Sequence, residues 1–195
     1  VDVKNVRTVV LGAGRATRMG FDKLATPFAG EPLLRRLVSA LAELQPLVVT
    51  TPEIAALLRG IPGAAVVPTL PTTGPTGTLR LANAEVRPDL HLAVIPGDLP
   101  FLDAALVKAF LARVPAGVDL AWPKVGEIPG HPVVWSPMAR GLLAGLRADE
   151  QPAAIRRDPS LRVVALDETD TAYVEDVDTP DAWRAAEERA TRARR

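Results

Sequence analysis

The sequence predicts an α/β protein with a mixed, mostly parallel sheet covered by helices. Three observations lead there. Apolar runs of strand length alternate with segments of helical period, a glycine-rich turn follows the first run, and acidic residues stand where later runs end. The first strand is read over residues 7–11. A helix follows over 31–45, where Leu33, Leu34, Leu37, Val38, Leu41 and Leu44 form one apolar stripe before Pro46 closes it. Residues 47–50 make a second strand, 54–59 a short helix and 64–67 a third strand, all apolar as buried parallel strands tend to be. The unit repeats with a helix over 78–86, a strand over 91–95, a helix over 103–114 capped by Asp103, and a strand over 118–122. The rhythm then changes. Strands are expected over 132–135, 161–166 and 172–177 with one helical stretch over 138–146, so antiparallel pairing enters the back half. Residues 181–195 form a last helix whose terminal arginines suit a helix C-terminus.

A chain of 195 residues corresponds to about one domain at roughly 150 residues each, taken here as 1–195. Lys and Arg number 23 against 23 Asp and Glu, so no global field favours nucleic acid or an anionic membrane, and phosphate chemistry must use local charges. With no cysteine and 2 histidines, disulfides, thiolate zinc sites and a cysteine nucleophile are excluded, and a histidine cage is disfavoured. Residues 60–79 carry no acid or lysine, but four prolines interrupt them, so no membrane span is expected. Without a signal-like start, the expected location is cytoplasmic.

The first strand delivers the chain into the segment 11–23, LGAGRATRMGFDK. A dinucleotide fingerprint needs a third glycine where Thr17 stands, and a P-loop needs Lys directly after Gly20, where Phe21 and Asp22 intervene. Two readings remain: a loop whose amides at Gly12 to Gly14 approach a triphosphate, with Arg18 and Lys23 as cations, or a solvated basic loop. Asp98, after the strand 91–95 and fixed between Gly97 and Pro100, stands at the ligand crevice of an open sheet and suits a magnesium ligand. Asp176 and Asp178 share a face by the period of two before Thr179 and Pro180 start the last helix. Each acid could equally be a cap. Together with the basic loop they are the parts needed for phosphoryl or nucleotidyl transfer.

Four segments resemble the molybdenum cofactor nucleotidyltransferases, the MobA-like family that attaches CMP or GMP to molybdopterin. Leu11, Gly12, Ala13, Gly14, Arg18, Met19, Gly20 and Lys23 stand in its opening motif, with Gly12 a small-for-small departure. Gly97, Asp98, Leu99 and Pro100 match its G-D-x-P. Gly130, His131 and Pro132 match G-H-P, and 176–180 match its late D-[IV]-[DN]-T-P. The resemblance implies a three-layer, Rossmann-like fold of the nucleotide-diphospho-sugar transferase type. It also implies Mg2+ at Asp98 shared with Asp178, and triphosphate contacts from Arg18 and Lys23. The guanylyltransferases tend to carry Asn and Asp where this chain has Thr50 or Thr51 and Thr69. Gly74, Thr78 and Arg80 keep part of a cytidylyltransferase pattern, so CTP is the expected donor, with Thr76 and Thr78 as hydroxyls for the base. His131 is assigned to the binding site, with a loop-ordering role as its rival; His91 is read as structural. The implied partners are a nucleoside triphosphate, a molybdopterin-type acceptor, and a molybdoenzyme or its chaperone. The alternatives are a GTP-using enzyme, a sugar- or polyol-phosphate nucleotidyltransferase, and a non-catalytic nucleotide-binding relative.

Overall fold

The computed structural model describes residues 1–13, 21–70, 74–147 and 150–192. Its sheet is built from β1 (Val6–Gly12), β4 (Leu47–Thr50), β5 (Ala65–Pro68), β6 (His91–Pro96), β7 (Leu120–Val125), β8 (Ile128–Pro129), β9 (Val133–Trp135) and β10 (Val163–Asp167). The order is β10-β7-β9-β6-β1-β4-β5, with β8 beside β7. β5, β4, β1 and β6 run parallel, as do β7 and β10, while β9 lies antiparallel between β6 and β7. The mixed sheet expected from the changed rhythm is therefore present, and the inserted β9 with the short β8, antiparallel to β7, produces it.

The helices are α1 (Leu33–Ala40), α2 (Pro52–Leu57), α3 (Gly74–Ala84), α4 (Ala104–Arg113), α5 (Pro137–Gly141) and α6 (Pro180–Arg192). Strand alternation sorts them into two outer layers. Val10, Val48, Ala93 and Ile95 face a core completed by α1, α4 and α6 through Leu34, Phe110 and Trp183. Val9, Val49, Leu92 and Val94 face the opposite core, completed by α3 and α5 through Leu79 and Ala139. Asp103 caps α4, its carboxylate accepting the Leu106 N–H at 2.9 Å. No helix among the described residues is long and apolar enough to cross a membrane.

The expected helix over 31–45 starts later. Glu31–Pro32 (β3) pairs antiparallel with Pro27–Phe28 (β2), and the helix gives way to a 3-10 turn at Ala42–Leu44 before Gln45 takes a left-handed φ of 49°. The expected strand over 172–177 is absent. Asp170 instead caps a 3-10 turn at Thr171–Tyr173, and the Tyr173 hydroxyl donates to Leu106 O at 2.8 Å. The alternation that suggested a strand is thus spent on a turn that buries Ala172, Tyr173 and Val177.

Candidate functional site

β1 lies between β4 and β6; the chain runs from β1 to β4 and β5 on one side and then crosses to β6 on the other, so a crevice opens at the carboxyl ends of β1 and β6. The backbone there is drawn close. Gly97 N–H donates to Leu11 O at 2.9 Å, and the Thr50 hydroxyl donates to Gly12 O at 2.7 Å. A Cβ on Gly12 would meet Leu34 at 2.8 Å, and one on Gly97 would meet the same leucine at 2.9 Å. One α1 leucine therefore packs under both strand ends, which explains glycine at each position.

Lys23 reaches this crevice from a turn tied down by Asp22, whose carboxylate accepts the Leu24 N–H at 3.1 Å and whose carbonyl accepts from Ala25 and Thr26. Its ammonium donates to Asp98 Oδ2 at 2.7 Å and also to Asp178 Oδ1. The Lys23 side chain is only 12% exposed. Burial works against its charge, but Asp98 and Asp178 more than offset this and hold its pKa above the ordinary value. Neither acid is a helix cap: Asp103 serves α4, and the Thr179 hydroxyl accepts the Ala182 N–H of α6 at 3.2 Å. Asp176 does not lie on a strand, yet its carboxyl is pushed up by burial and then by the charges of Asp178 and Asp98. The three acids therefore share one electrostatic field.

The other residues read from the sequence divide into three groups. Gly14, Arg18, Met19 and Gly20 lie outside the described residues. Leu11, Gly12 and Ala13 stand at the crevice. Gly74 opens α3 with φ +67°, and the side chains of Thr78 and Arg80, expected at the nucleotide, have hydrogen-bond partners within the protein. The Thr78 hydroxyl donates back to Gly74 O at 2.7 Å and that of Thr76 donates to Glu150 O. Arg80 donates to Leu143 O at 3.0 Å, Ala144 O at 3.2 Å and Leu146 O, capping the turn at Leu142–Gly145. These groups satisfy the protein's own backbone.

His131 is held from both sides. Its N–H donates to Tyr173 O at 2.8 Å, and its Nδ1 lies 3.3 Å from Val94 O. A Cβ on Gly130 would come within 2.4 Å of Tyr173 O, so this glycine lets the loop lie against Tyr173. Burial lowers the His131 pKa, although Val94 O and the charge of Asp98 oppose it. One feature gave no signal in the sequence. Arg156 lies with its guanidinium 4.0 Å over the Trp122 ring, a contact made only because β10 pairs with β7 and brings distant segments together.

The family model for a MobA-like NTP transferase domain matches residues 8–167. A molybdenum cofactor guanylyltransferase from Xanthomonas euvesicatoria is 37% identical over 108 residues, covering 53% of this chain and 52% of that protein. The bifunctional protein GlmU of Sphingopyxis alaskensis is 33% identical over 129 residues, 60% of this chain and 29% of GlmU. The chain thus matches about half, or less, of the length of these two relatives. A molybdenum cofactor guanylyltransferase from Sinorhizobium fredii is 28% identical over 175 residues, 81% of this chain and 72% of that protein. Among solved structures, Rv0371c of Mycobacterium tuberculosis superposes with a TM-score of 0.76 at 25% identity, covering 94% of this chain and 97% of that one. A structure of Rv0371c in complex with manganese gives 0.73 at 24% identity, covering 94% and 98%.

Proposed function

The chain belongs to the MobA-like NTP transferase family, and from that premise we propose that it transfers GMP from GTP to a phosphate-bearing molybdopterin, releasing pyrophosphate. The observation that carries this reading is the convergence of Asp98 and Asp178 on Lys23 at the crevice between β1 and β6. The two carboxylates are hard oxygen donors that already share a cation, so they fit magnesium or manganese. Among the described residues no group of three or more His, Asp or Glu forms a metal cage. Substrate phosphates and water would complete the coordination shell, as is usual for magnesium. When bound, such an ion would neutralise charge on the triphosphate and make its α-phosphorus a better electrophile.

The rest of the reaction falls to the chain's own residues. A phosphate oxygen of the acceptor attacks the α-phosphorus in line, and the bond to the bridging oxygen breaks with its electron pair leaving on pyrophosphate. No covalent enzyme intermediate is required. Because the attacking phosphate is already anionic, no base is needed, and positioning and charge carry the catalysis. Lys23 turns from the carboxylates to the departing pyrophosphate, and the strand ends at Gly12 and Gly97 let backbone approach the phosphates closely.

Guanine replaces the cytosine expected from the sequence on two grounds. The Thr76 and Thr78 hydroxyls, the groups assigned to cytosine, are engaged by Glu150 O and Gly74 O. The Xanthomonas and Sinorhizobium relatives are named guanylyltransferases. The deciding experiment measures pyrophosphate release with magnesium from each of four triphosphates, with molybdopterin, with glucose 1-phosphate and with no acceptor. Release from GTP that depends on molybdopterin is expected. A preference for CTP overturns the guanine assignment alone, whereas no release from any pair overturns the transferase reading.

A further inference from the structure

A cavity of about 350 Å³ opens beside the charged crevice, with Leu11, Leu79, Pro96, His131, Ile155 and Arg156 in its lining. That volume is within the usual range for a small-molecule site. Leu11 and Pro96 lie on β1 and β6, the strands whose ends form the crevice, and His131 feels the charges of both Asp98 and Arg156. The cavity therefore adjoins the place where the donor's phosphates would lie.

Arg156 is the arginine in this cavity's lining. It belongs to a 3-10 helix at Pro152–Arg157 anchored by Ile155, which is 4% exposed. Its guanidinium stacks 4.0 Å over Trp122, and burial lowers its pKa. Arg113, Arg184 and Arg189 each have an acid partner, but no carboxylate pairs with Arg156 among the described residues. Half-buried and without a counter-charge, such a group costs stability until a ligand supplies an anion. Stacking fixes its plane while leaving the N–H edge free to bind an oxyanion in two-pronged fashion. His131 adds a second polar point. Val94 O can only accept, so Nδ1 carries the proton and Nε2 offers a lone pair. The remaining lining is largely apolar, which suits the face of a flat ring and gives few partners to the hydroxyls of a sugar.

We propose that this cavity is the acceptor pocket, and that Arg156, laid flat on Trp122, binds an anionic substituent of a flat heteroaromatic acceptor whose hydrogen-bond donor faces His131. The proposal rests on the transfer reaction above and names how its second substrate is read. Arg156 is a specificity-determining residue here, separate from the Lys23 site that binds the donor.

The test compares wild type with Arg156→Gln, Arg156→Lys and the surface control Arg184→Gln. Binding of a pterin carrying a phosphomonoester is followed by tryptophan fluorescence, and transfer is followed with GTP and molybdopterin. Arg156→Gln is expected to raise the acceptor KM and the pterin phosphate Kd about tenfold or more, with GTP affinity unchanged. Arg156→Lys should recover only part, because an ammonium lacks the stacking plane. Wild type itself should bind the phosphorylated pterin about tenfold more tightly than its dephosphorylated form, a readout that does not depend on any variant folding. Equal affinity for the two pterins, or an unchanged acceptor KM in Arg156→Gln, overturns the pocket while leaving the transferase intact. Phosphate-dependent pterin binding in a protein that transfers no nucleotide does the reverse.

Discussion

At the carboxyl ends of β1 and β6, Lys23 shares its charge between two carboxylates; at the C-terminal end of α3, Arg140 gives its charge to carbonyl groups. Both cations are withdrawn from water, Lys23 at 12% side-chain exposure and Arg140 at 4%. Arg140 donates to Asn83 Oδ1 at 2.6 Å, Arg87 O at 2.8 Å, Val86 O at 2.9 Å, Asn83 O at 3.2 Å and Leu90 O. These carbonyls lie at and beyond the end of α3, where Asn83 O and Arg87 O also accept the N–H groups of Val86 at 3.4 Å and Leu90 at 3.2 Å, and the cation complements the helix dipole. Its donors are used up and no ligand is required. Around Lys23 the balance is reversed: three acids face one ammonium, a surplus of negative charge that the proposed reaction would offset with a divalent ion. Arg140 is saturated by groups of the protein itself, whereas Lys23 sits amid more carboxylate than it can neutralise.

That contrast can be broken by substitution, and the largest effect belongs to the architectural side. Arg140→Met should destabilise the fold by about 3 kcal/mol or more, because its five acceptors lose their donor and each one left buried and unsatisfied costs about 1–3 kcal/mol. Thermal unfolding should show it as a fall in Tm of about 10 °C or more, while the protein that remains folded keeps its GTP affinity. Asp98→Asn should do the opposite. Exchanging a charged oxygen ligand for a neutral one of equal size should cost turnover about 100-fold or more, measured as pyrophosphate release, with Tm nearly unchanged. Near-normal magnesium-dependent turnover would remove Asp98 from the metal site.

The smallest effect comes from the surplus charge itself. The Asp176 carboxyl is raised above its ordinary value of 3.8 by burial and by Asp178 and Asp98, so the folded chain holds that proton more tightly than the unfolded one. Ionisation at neutral pH therefore opposes folding, and Asp176→Asn should gain stability there, by less than about 1 kcal/mol because the carboxyl is only partly buried and solvent screens it. The gain should disappear as pH falls below 3.8, where the wild-type carboxyl is neutral too. Denaturant titrations at pH 7 and pH 3 check this, and an unchanged midpoint at pH 7 would mean that Asp176 lies outside the shared field.

The sheet was legible in the sequence because its strands are short apolar runs, and β1, β4, β5 and β6 fall within a residue or two of their expected limits. Lys23, Asp98 and Asp178 were legible because residue types and motif order pointed to phosphate chemistry before any contact was known. Pairing alone was hidden. Nothing in 172–177 distinguishes a strand from a capped turn until Tyr173 finds Leu106 O, and no local pattern tells that Arg80 will close the turn at Leu142–Gly145. Trp122 and Arg156 meet through a β10–β7 pairing, which is a property of topology.

Calorimetric titration of magnesium GTP into wild type, Lys23→Met and Arg184→Met decides whether the Lys23 region holds the phosphates. Arg184 is an exposed cation on α6 paired only with Asp181 among the described residues, so it controls for the loss of one positive charge. Lys23→Met is expected to weaken GTP binding about tenfold or more, as for loss of a charge-assisted hydrogen bond, with Arg184→Met indistinguishable from wild type. Equal affinities in all three proteins would contradict the account.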